Sequence, residues 1–168
     1  MPTPRDRRLQ ADYEKVLKLV AESGETLKLL RTTGSPPTWY EIEYHCPGLV
    51  KDAEGQISIH NFHRVVIVLM ANYPFEKPNA RVTTPVFNPH VYPHDAICLG
   101  VVWNAAETLD TLVLRIGALL QLDPRVLNAN SPANSEANQW VKQHPDRIPL
   151  GTISFKTAQT PKSQVQWR

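Results

Sequence analysis

Cysteine is scarce in this chain: Cys46 and Cys98 are the only two. Two thiols cannot build a disulfide scaffold, and a reducing compartment would keep both free. No apolar run approaches the roughly 20 residues that a membrane-spanning helix needs. The opening residues MPTPRDRRLQADY hold no apolar signal segment, so the expected location is the cytoplasm, with no membrane partner. Charge of one sign is in short supply as well. Lysine plus arginine number 18 against 16 acidic residues, and the resulting +2 argues against a broad basic surface for nucleic acid. The local exception is Arg5-Asp6-Arg7-Arg8, which suits a solvated helix face. No internal repeat is present.

Proline, by contrast, is plentiful at 15 residues, so much of the chain runs in loops and turns. The length suits one domain with one sizeable core. Residues 5–23 read as an amphipathic helix, with Leu9, Tyr13, Val16, Leu17 and Val20 at helical spacing and Gly24 as a stop. Four strand candidates follow, at 26–32, 39–45, 62–70 and 81–84. In the second, Tyr40, Ile42 and Tyr44 share one face, and Trp39, Glu41, Glu43 and His45 share the other. The third is apolar on both faces, as a central strand should be. The separations suit an antiparallel meander. Residues 85–107 are then irregular, and a long structureless loop inside a compact domain is usually functional. Thr108 to Leu122 reads as a helix, with Leu109, Leu112, Val113, Ile116, Leu119 and Leu120 as its core face, Thr108 as cap and Pro124 as stop. Another helix is expected over 133–143. From His144 the pattern fades, and the stretch after Pro149 lacks an apolar face, so little contribution to the fold is expected from it. Helix, four strands, long loop and two helices make an α+β domain.

The segment from Tyr73 to Trp140 resembles the ubiquitin-conjugating enzyme family. Tyr73-Pro74-Phe75 with Pro78 looks like the family's YPF-x-x-P turn, and Ile97-Cys98-Leu99 like its active-site segment. Trp103 matches the tryptophan that follows the cysteine, at a shorter gap. The 108–122 helix with Asp123-Pro124 matches the second helix and its ending, and the run Ser131-Pro132-Ala133-Asn134-Ser135-Glu136-Ala137 resembles the lead-in to the third. No one of these motifs is specific, but their order and spacing together are. The resemblance implies the ubiquitin-conjugating fold, with residues 1–148 as catalytic domain and 149–168 as a tail. It looks closer to bacterial relatives of the family than to typical eukaryotic members. Such relatives are often encoded beside an activating enzyme, a ubiquitin-like protein and a deconjugating peptidase, in systems linked to antiviral defence.

Two departures stand out. The family usually has His-Pro-Asn before the cysteine; here the triplet is Asn88-Pro89-His90, so His90 stands where the asparagine is expected. About three residues are also inserted before the third helix, and the family's acidic gate position falls on Asn130 or Ser131. By the resemblance, Cys98 accepts a ubiquitin-like protein from an activating enzyme as a thioester and passes it to a target lysine, with or without a ligase. ATP is consumed by the activating enzyme, so no cofactor is expected. A thioester carrier needs a sulfur near the surface, and a cysteine in an irregular Pro-rich loop fits that need; the plainer alternative is a buried structural cysteine. Cys46, at the end of a strand, reads as core packing. Attack by the amine creates an oxyanion, for which His90 or Asn88 is the candidate donor; the plainer alternative is that both merely hold the loop. Asn130 and Ser131 could orient the amine. His90, His94 and Cys98, with Asp95 among them, have metal-like spacing, but Pro89 and Pro93 argue against the helix it would need. The resemblance further assigns Phe75, Asn104 and Ala105 to ligase contact, and Arg5, Arg7 and Arg8 to docking of the activating enzyme. Two rivals remain: a non-catalytic variant of the fold that only binds a ubiquitin-like protein, and a cysteine hydrolase using Cys98 with His90 or His94 and Asp95.

Overall fold

The computed structural model describes residues 1–151 and 153–156. The first helix, α1 (Pro4–Ala21), starts where Thr3 and Asp6 form a reciprocal capping box and Pro4 occupies the first turn. Six strands follow: β1 (Leu27–Gly34), β2 (Pro37–Tyr44), β3 (Gly48–Lys51), β4 (Ile57–His60), β5 (His63–Val68) and β6 (Asn79–Val82). Strands β1-β2-β5-β6 make one antiparallel sheet in that order, which is the expected meander. Into it is inserted a separate hairpin, β3–β4, that sequence reading passed over. Each of its strands is four residues long, and β4 is largely exposed, so neither carries the alternation that marks a strand. The last sheet strand also begins two residues before the expected Arg81, because Asn79 and Ala80 already pair with Val68 and Ile67 of β5.

Helices α1 and α2 (Leu109–Leu120) cover one face of the sheet. Tyr40, Ile42 and Tyr44 point into the core, as their alternation requires, and meet Leu9, Val16 and Leu19 of α1 and the expected apolar face of α2. The inner face of α1 is not quite the expected one. Leu17 lies outside, and Asp12 is inside at 1% exposure. A bare carboxylate could not survive there. Asp12 Oδ2 accepts from Tyr73 Oη at 2.5 Å and from Arg8 Nε at 2.8 Å, and its Oδ1 accepts from Leu109 N at 3.2 Å. Asp12, from another helix, therefore serves the N-terminus of α2. Thr108 occupies the cap position but makes no side-chain capping bond.

The third helix, α3 (Ser135–Gln143), is capped by Asn134, and a short 3-10 turn follows at Pro145–Arg147. Beyond Pro149 the expectation of a weakly engaged tail needs correcting, because the apolar signal rests on one residue rather than a periodic face. Phe155 is buried at 4% exposure and meets Tyr44 edge-to-face, ring centroids 5.6 Å apart. It fits because Gly117 of α2 has no side chain; a methyl group there would overlap the ring. Gln121 holds the approach, accepting from Ile153 N at 2.7 Å and donating to Ile153 O at 3.2 Å. Residues 157–168, the rest of the expected tail, lie outside the described residues.

Replacing Phe155 with Ala should therefore cost about 3 kcal/mol, the low end for a buried phenylalanine. At this size that is roughly 6–12 °C in Tm, measurable by thermal unfolding. A shift below about 2 °C would mean that the tail does not dock.

Candidate active site

Cys98 sits in the long segment between β6 and α2, and the sheet organises that segment. Ile97 N donates to Ala80 O and Val82 N to Asp95 O, so residues 95–97 lie along β6 as an added edge. They form the return limb of a small hairpin. Val91 and Ile97 are bridged antiparallel, Cys98 N donates to His90 O at 2.7 Å, and Tyr92 N donates to Ala96 O. Asp95 closes the turn in the left-handed region, φ 73°, which Asp tolerates better than most side chains. Ile97 and Leu99 are both buried, at 7% and 6% exposure, and strand-like alternation then turns the intervening Cys98 sulfur outward, half-buried. Cys46 is fully buried, and burial pushes its thiol up to about 12. Only one of the two sulfurs is placed to react.

Cys98 lines a groove of about 600 Å³ together with Trp39, Val66 and Val68 of the sheet and with Lys77, Tyr92 and Leu99. Tyr92 is a residue that sequence reading missed. In the Val91–Ile97 hairpin it lies opposite Ala96 and diagonal to Cys98 on the same face, a separation an aromatic side chain spans. Its hydroxyl faces the Cys98 sulfur, and that interaction holds the phenol above its ordinary value. The available signal was the pairing of the hairpin, which sets Tyr92 beside the sulfur. His94 stacks on Tyr92, ring centroids 5.3 Å apart. Among the described residues no three His, Cys, Asp or Glu side chains gather as metal ligands.

The Asn88-Pro89-His90 triplet is built into the interior. Asn88 is 1% exposed; its Nδ2 donates to Leu119 O near the end of α2, and its Oδ1 accepts from His90 N, both at 2.8 Å. Pro89 O accepts from Ala133 N and Asn134 N at the start of α3. His90 Nε2 accepts from Asn128 N at 2.9 Å. In the neutral ring this assigns the proton to Nδ1. Burial lowers the ring's pKa, so the neutral form prevails at physiological pH. The visible bonds of both side chains brace the loop. Asn130 and Ser131 are exposed on the stretch that His90 holds, and Asn130 N donates to Asn128 Oδ1. That stretch is tied to the sulfur through His90, whose backbone carbonyl holds Cys98 N.

The candidate partner residues divide. Arg5, Arg8 and Phe75 line one cleft of about 780 Å³, with Phe75 84% exposed. Arg7 faces another, beside Ser35 and Pro36. Arg8 is not a free cation: besides Asp12, it donates to Ala105 O at 2.7 Å and Glu107 O at 2.6 Å. Arg5 donates to Met70 O. Asn104 is exposed, and its Oδ1 accepts from Ala106 N. Trp103 Nε1 donates to Pro74 O at 2.7 Å, joining this segment to the Phe75 turn. The flanking Val101 and Val102, 94% and 88% exposed, were overlooked in the sequence.

The state of His90 is testable. Its folded pKa lies below the ordinary 6.5, so between those two values the unfolded chain binds more protons. The ring's contribution is complete above about 6.5 and is lost as pH falls through that value toward the folded pKa. His63, also lowered by burial, contributes in both proteins and cancels in a comparison. The Tm of the wild type should thus fall relative to His90→Gln as pH drops from about 8 to about 5.5. A gap independent of pH would mean that the ring is not held neutral.

Comparison with known proteins agrees with this architecture. The family model described as ubiquitin-conjugating enzyme matches residues 48–148, more than half of the chain. Ubiquitin-conjugating enzyme E2 2 of Debaryomyces hansenii is 26% identical over 147 residues, covering 86% of this chain and 79% of that protein. A ubiquitin-conjugating enzyme E2 of African swine fever virus is 24% identical over 110 residues, 59% of this chain and 49% of the viral protein. In structure, a chain described as a ubiquitin conjugating enzyme from Trypanosoma cruzi superimposes with a TM-score of 0.60 at 19% identity, over 83% of this chain and 90% of that one, a likeness of fold. These relatives are fungal, viral and protozoan. With the sheet, the hairpin that carries Cys98 and the matched residues in agreement, the chain belongs to the ubiquitin-conjugating enzyme family.

Proposed function

We propose that this chain accepts a ubiquitin-like protein from an activating enzyme as a thioester on Cys98 and transfers it to an amine of a target protein. The observation that carries the reading is the placement of Cys98: a half-buried sulfur between two buried anchors, in the lining of a groove of about 600 Å³. Enzymes of the family are transferases. In the first step the Cys98 thiolate attacks the carbonyl of the incoming thioester, and the donor's thiolate leaves. In the second a neutral amine attacks, the C–S bond breaks, and the amine's proton passes to solvent. A lysine near 10.4 is mostly protonated at neutral pH, so the groove must favour its neutral form or orient the small neutral fraction.

Tyr92 brings a hydroxyl beside this chemistry, and it can donate to the thiolate or to the carbonyl oxygen. The triplet keeps the sulfur's loop in place. Asn130 and Ser131, by position, would meet the incoming lysine. Arg5, Phe75, Asn104 and Ala105 are proposed to contact the activating enzyme or a ligase; Arg7 joins them from its separate cleft, and Arg8 through its backbone ties more than through its charge. A hydrolase reading through His90 is not favoured, because His90 Nε2 is already taken by Asn128; in its His94 form the candidate ring is the one stacked on Tyr92. The proposed setting is cytoplasmic and of the bacterial, defence-linked type, and neighbouring genes for an activating enzyme and a ubiquitin-like protein would support it. The proposed catalytic domain spans 1–148; the core contact of Phe155 extends its folded part.

The test uses ubiquitin carrying a C-terminal mercaptoethanesulfonate thioester, which dispenses with an activating enzyme. The wild type and Cys46→Ala should both form a reductant-sensitive adduct, visible by non-reducing electrophoresis. Cys98→Ala should form none. An adduct that survives in Cys98→Ala but not in Cys46→Ala would overturn the assignment.

A further inference from the structure

Backbone pairing of the active-site hairpin ends at Cys98. Its N–H donates to His90 O, but among the described residues no backbone–backbone hydrogen bond holds residues 99–103. Gly100 turns at φ 93°, and Val101 and Val102 stand in solvent. The nucleophile is thus the last paired residue before a free run, and its direction depends on what fixes the next peptide. Side chains supply that hold. Arg115 of α2 donates from Nη1 to Leu99 O at 2.9 Å. Lys77 Nζ donates to Gly100 O at 3.2 Å, but from an exposed side chain and through a single contact.

Arg115 is itself aimed. Its Nε donates to Glu107 Oε1 and its Nη2 to Glu107 Oε2, both at 3.0 Å. Two parallel bonds fix the guanidinium plane and leave Nη1 for the carbonyl. Glu107 lies just ahead of α2, and the pair meets because helical side chains lean toward the helix N-terminus. Glu107 is fixed in turn, since its carbonyl accepts from Arg8 Nη2 at 2.6 Å and Arg8 is bound to Asp12. Both members of the Arg115–Glu107 pair are partly buried, which sets it apart from the exposed pairs that contribute little.

Resting on the thioester reading above, we propose that Arg115 is a positioning residue for the transfer: oriented by Glu107, it holds the Leu99 carbonyl and so fixes the direction in which Cys98 presents its sulfur and the acyl group bound to it. Arg115 acts through Leu99 and does not itself contact the reacting atoms. Without it the thiol remains, but the acyl carbonyl is free to drift from the approach line of the amine. A misplacement of about 1 Å at a reacting centre can cost of order 100-fold in rate. Lysine is no substitute, because a rotating ammonium lacks the planar fork that pairs with a carboxylate at two points while reaching a third acceptor.

The full chain is charged with the ubiquitin mercaptoethanesulfonate thioester, excess reagent is removed, and discharge to free lysine is timed at a temperature where every variant is folded. Alkylation of the uncharged Cys98 by iodoacetamide is timed in parallel. In Arg115→Met the discharge rate constant should fall about ten-fold, a difference of roughly 1.4 kcal/mol in barrier. Alkylation should stay within about two-fold of the wild type, because a small tumbling reagent needs the thiolate but no fixed direction. Arg115→Lys, which keeps the charge and loses the fork, should discharge as slowly as Arg115→Met. Glu107→Gln should slow discharge on its own, yet add less than about two-fold to Arg115→Met, as expected of residues acting in one chain of contacts. The proposal is overturned if Arg115→Met discharges within about two-fold of the wild type, or if alkylation falls as far as discharge, since the residue then acts on the thiol or the fold. It is overturned as well if Arg115→Lys restores the wild-type rate, or if the Glu107 and Arg115 effects multiply. Each of these leaves the thioester reading standing. If the wild type forms no reductant-sensitive adduct, the thioester reading itself fails, and this inference with it.

Discussion

The buried carboxylate of Asp12 is the constraint on which the architecture turns. It lies where α1, the turn at Tyr73 and the start of α2 converge, and a contact from each satisfies it. A lone charge there would be untenable, and removing one partner from such a group typically costs about 3–5 kcal/mol. Arg8 extends the junction to the carbonyls of Ala105 and Glu107, and its guanidinium lies over the Tyr73 ring, 5.3 Å from the centroid. Three segments far apart in sequence are thus fixed by one acidic side chain. The cost of burying it is met by directional bonds rather than by apolar area.

The active-site loop hangs between fixed points at both ends of α2. At the helix's start, the Asp12 junction sets the descent from Trp103. Near its end, Asn88 grips Leu119 O and Gln121 grips the tail. Between these points the chain has little regular structure, yet most of its backbone groups near Cys98 are paired to β6, to His90 or to Tyr92. The Tm lost on removing Phe155 therefore measures more than one aromatic ring. It measures how firmly α2, the support of the triplet, is held from behind.

Much of this was legible in the chain. Tyr40, Ile42 and Tyr44 alternate without interruption, and the α2 face recurs at helical spacing, so both declared their elements. The Ile-Cys-Leu segment declared its own geometry, since apolar neighbours on either side of a cysteine in an extended strand turn the sulfur out. What escaped reading was carried by single residues without a pattern. Asp12 interrupts an apolar helix face, and only the folded structure shows that it is needed there. Phe155 stands in a polar stretch, and its socket is an absence at Gly117. The β3–β4 hairpin is too short and too exposed to alternate. Tyr92 could have been set beside the sulfur only by knowing how 91 and 97 pair, which depends on β6. The exchange of histidine and asparagine in the triplet was plain to see. Its meaning was not, because the same two side chains can either donate to a reacting atom or brace a loop, and sequence does not say which bonds they make.

The fit of Phe155 over Gly117 has a bearing on how such a chain can diverge. A glycine inside a helix is a standing disadvantage of about 1 kcal/mol against alanine, and it persists here because an aromatic ring from the other end of the chain occupies the space of its missing side chain. The two positions are therefore bound to change together. A lineage that shortens its tail frees position 117 to become alanine and recovers helix stability. A lineage that mutates 117 first must lose the ring. The two routes differ in cost: losing the ring first leaves room for a side chain at 117, whereas changing the glycine first forces the ring out.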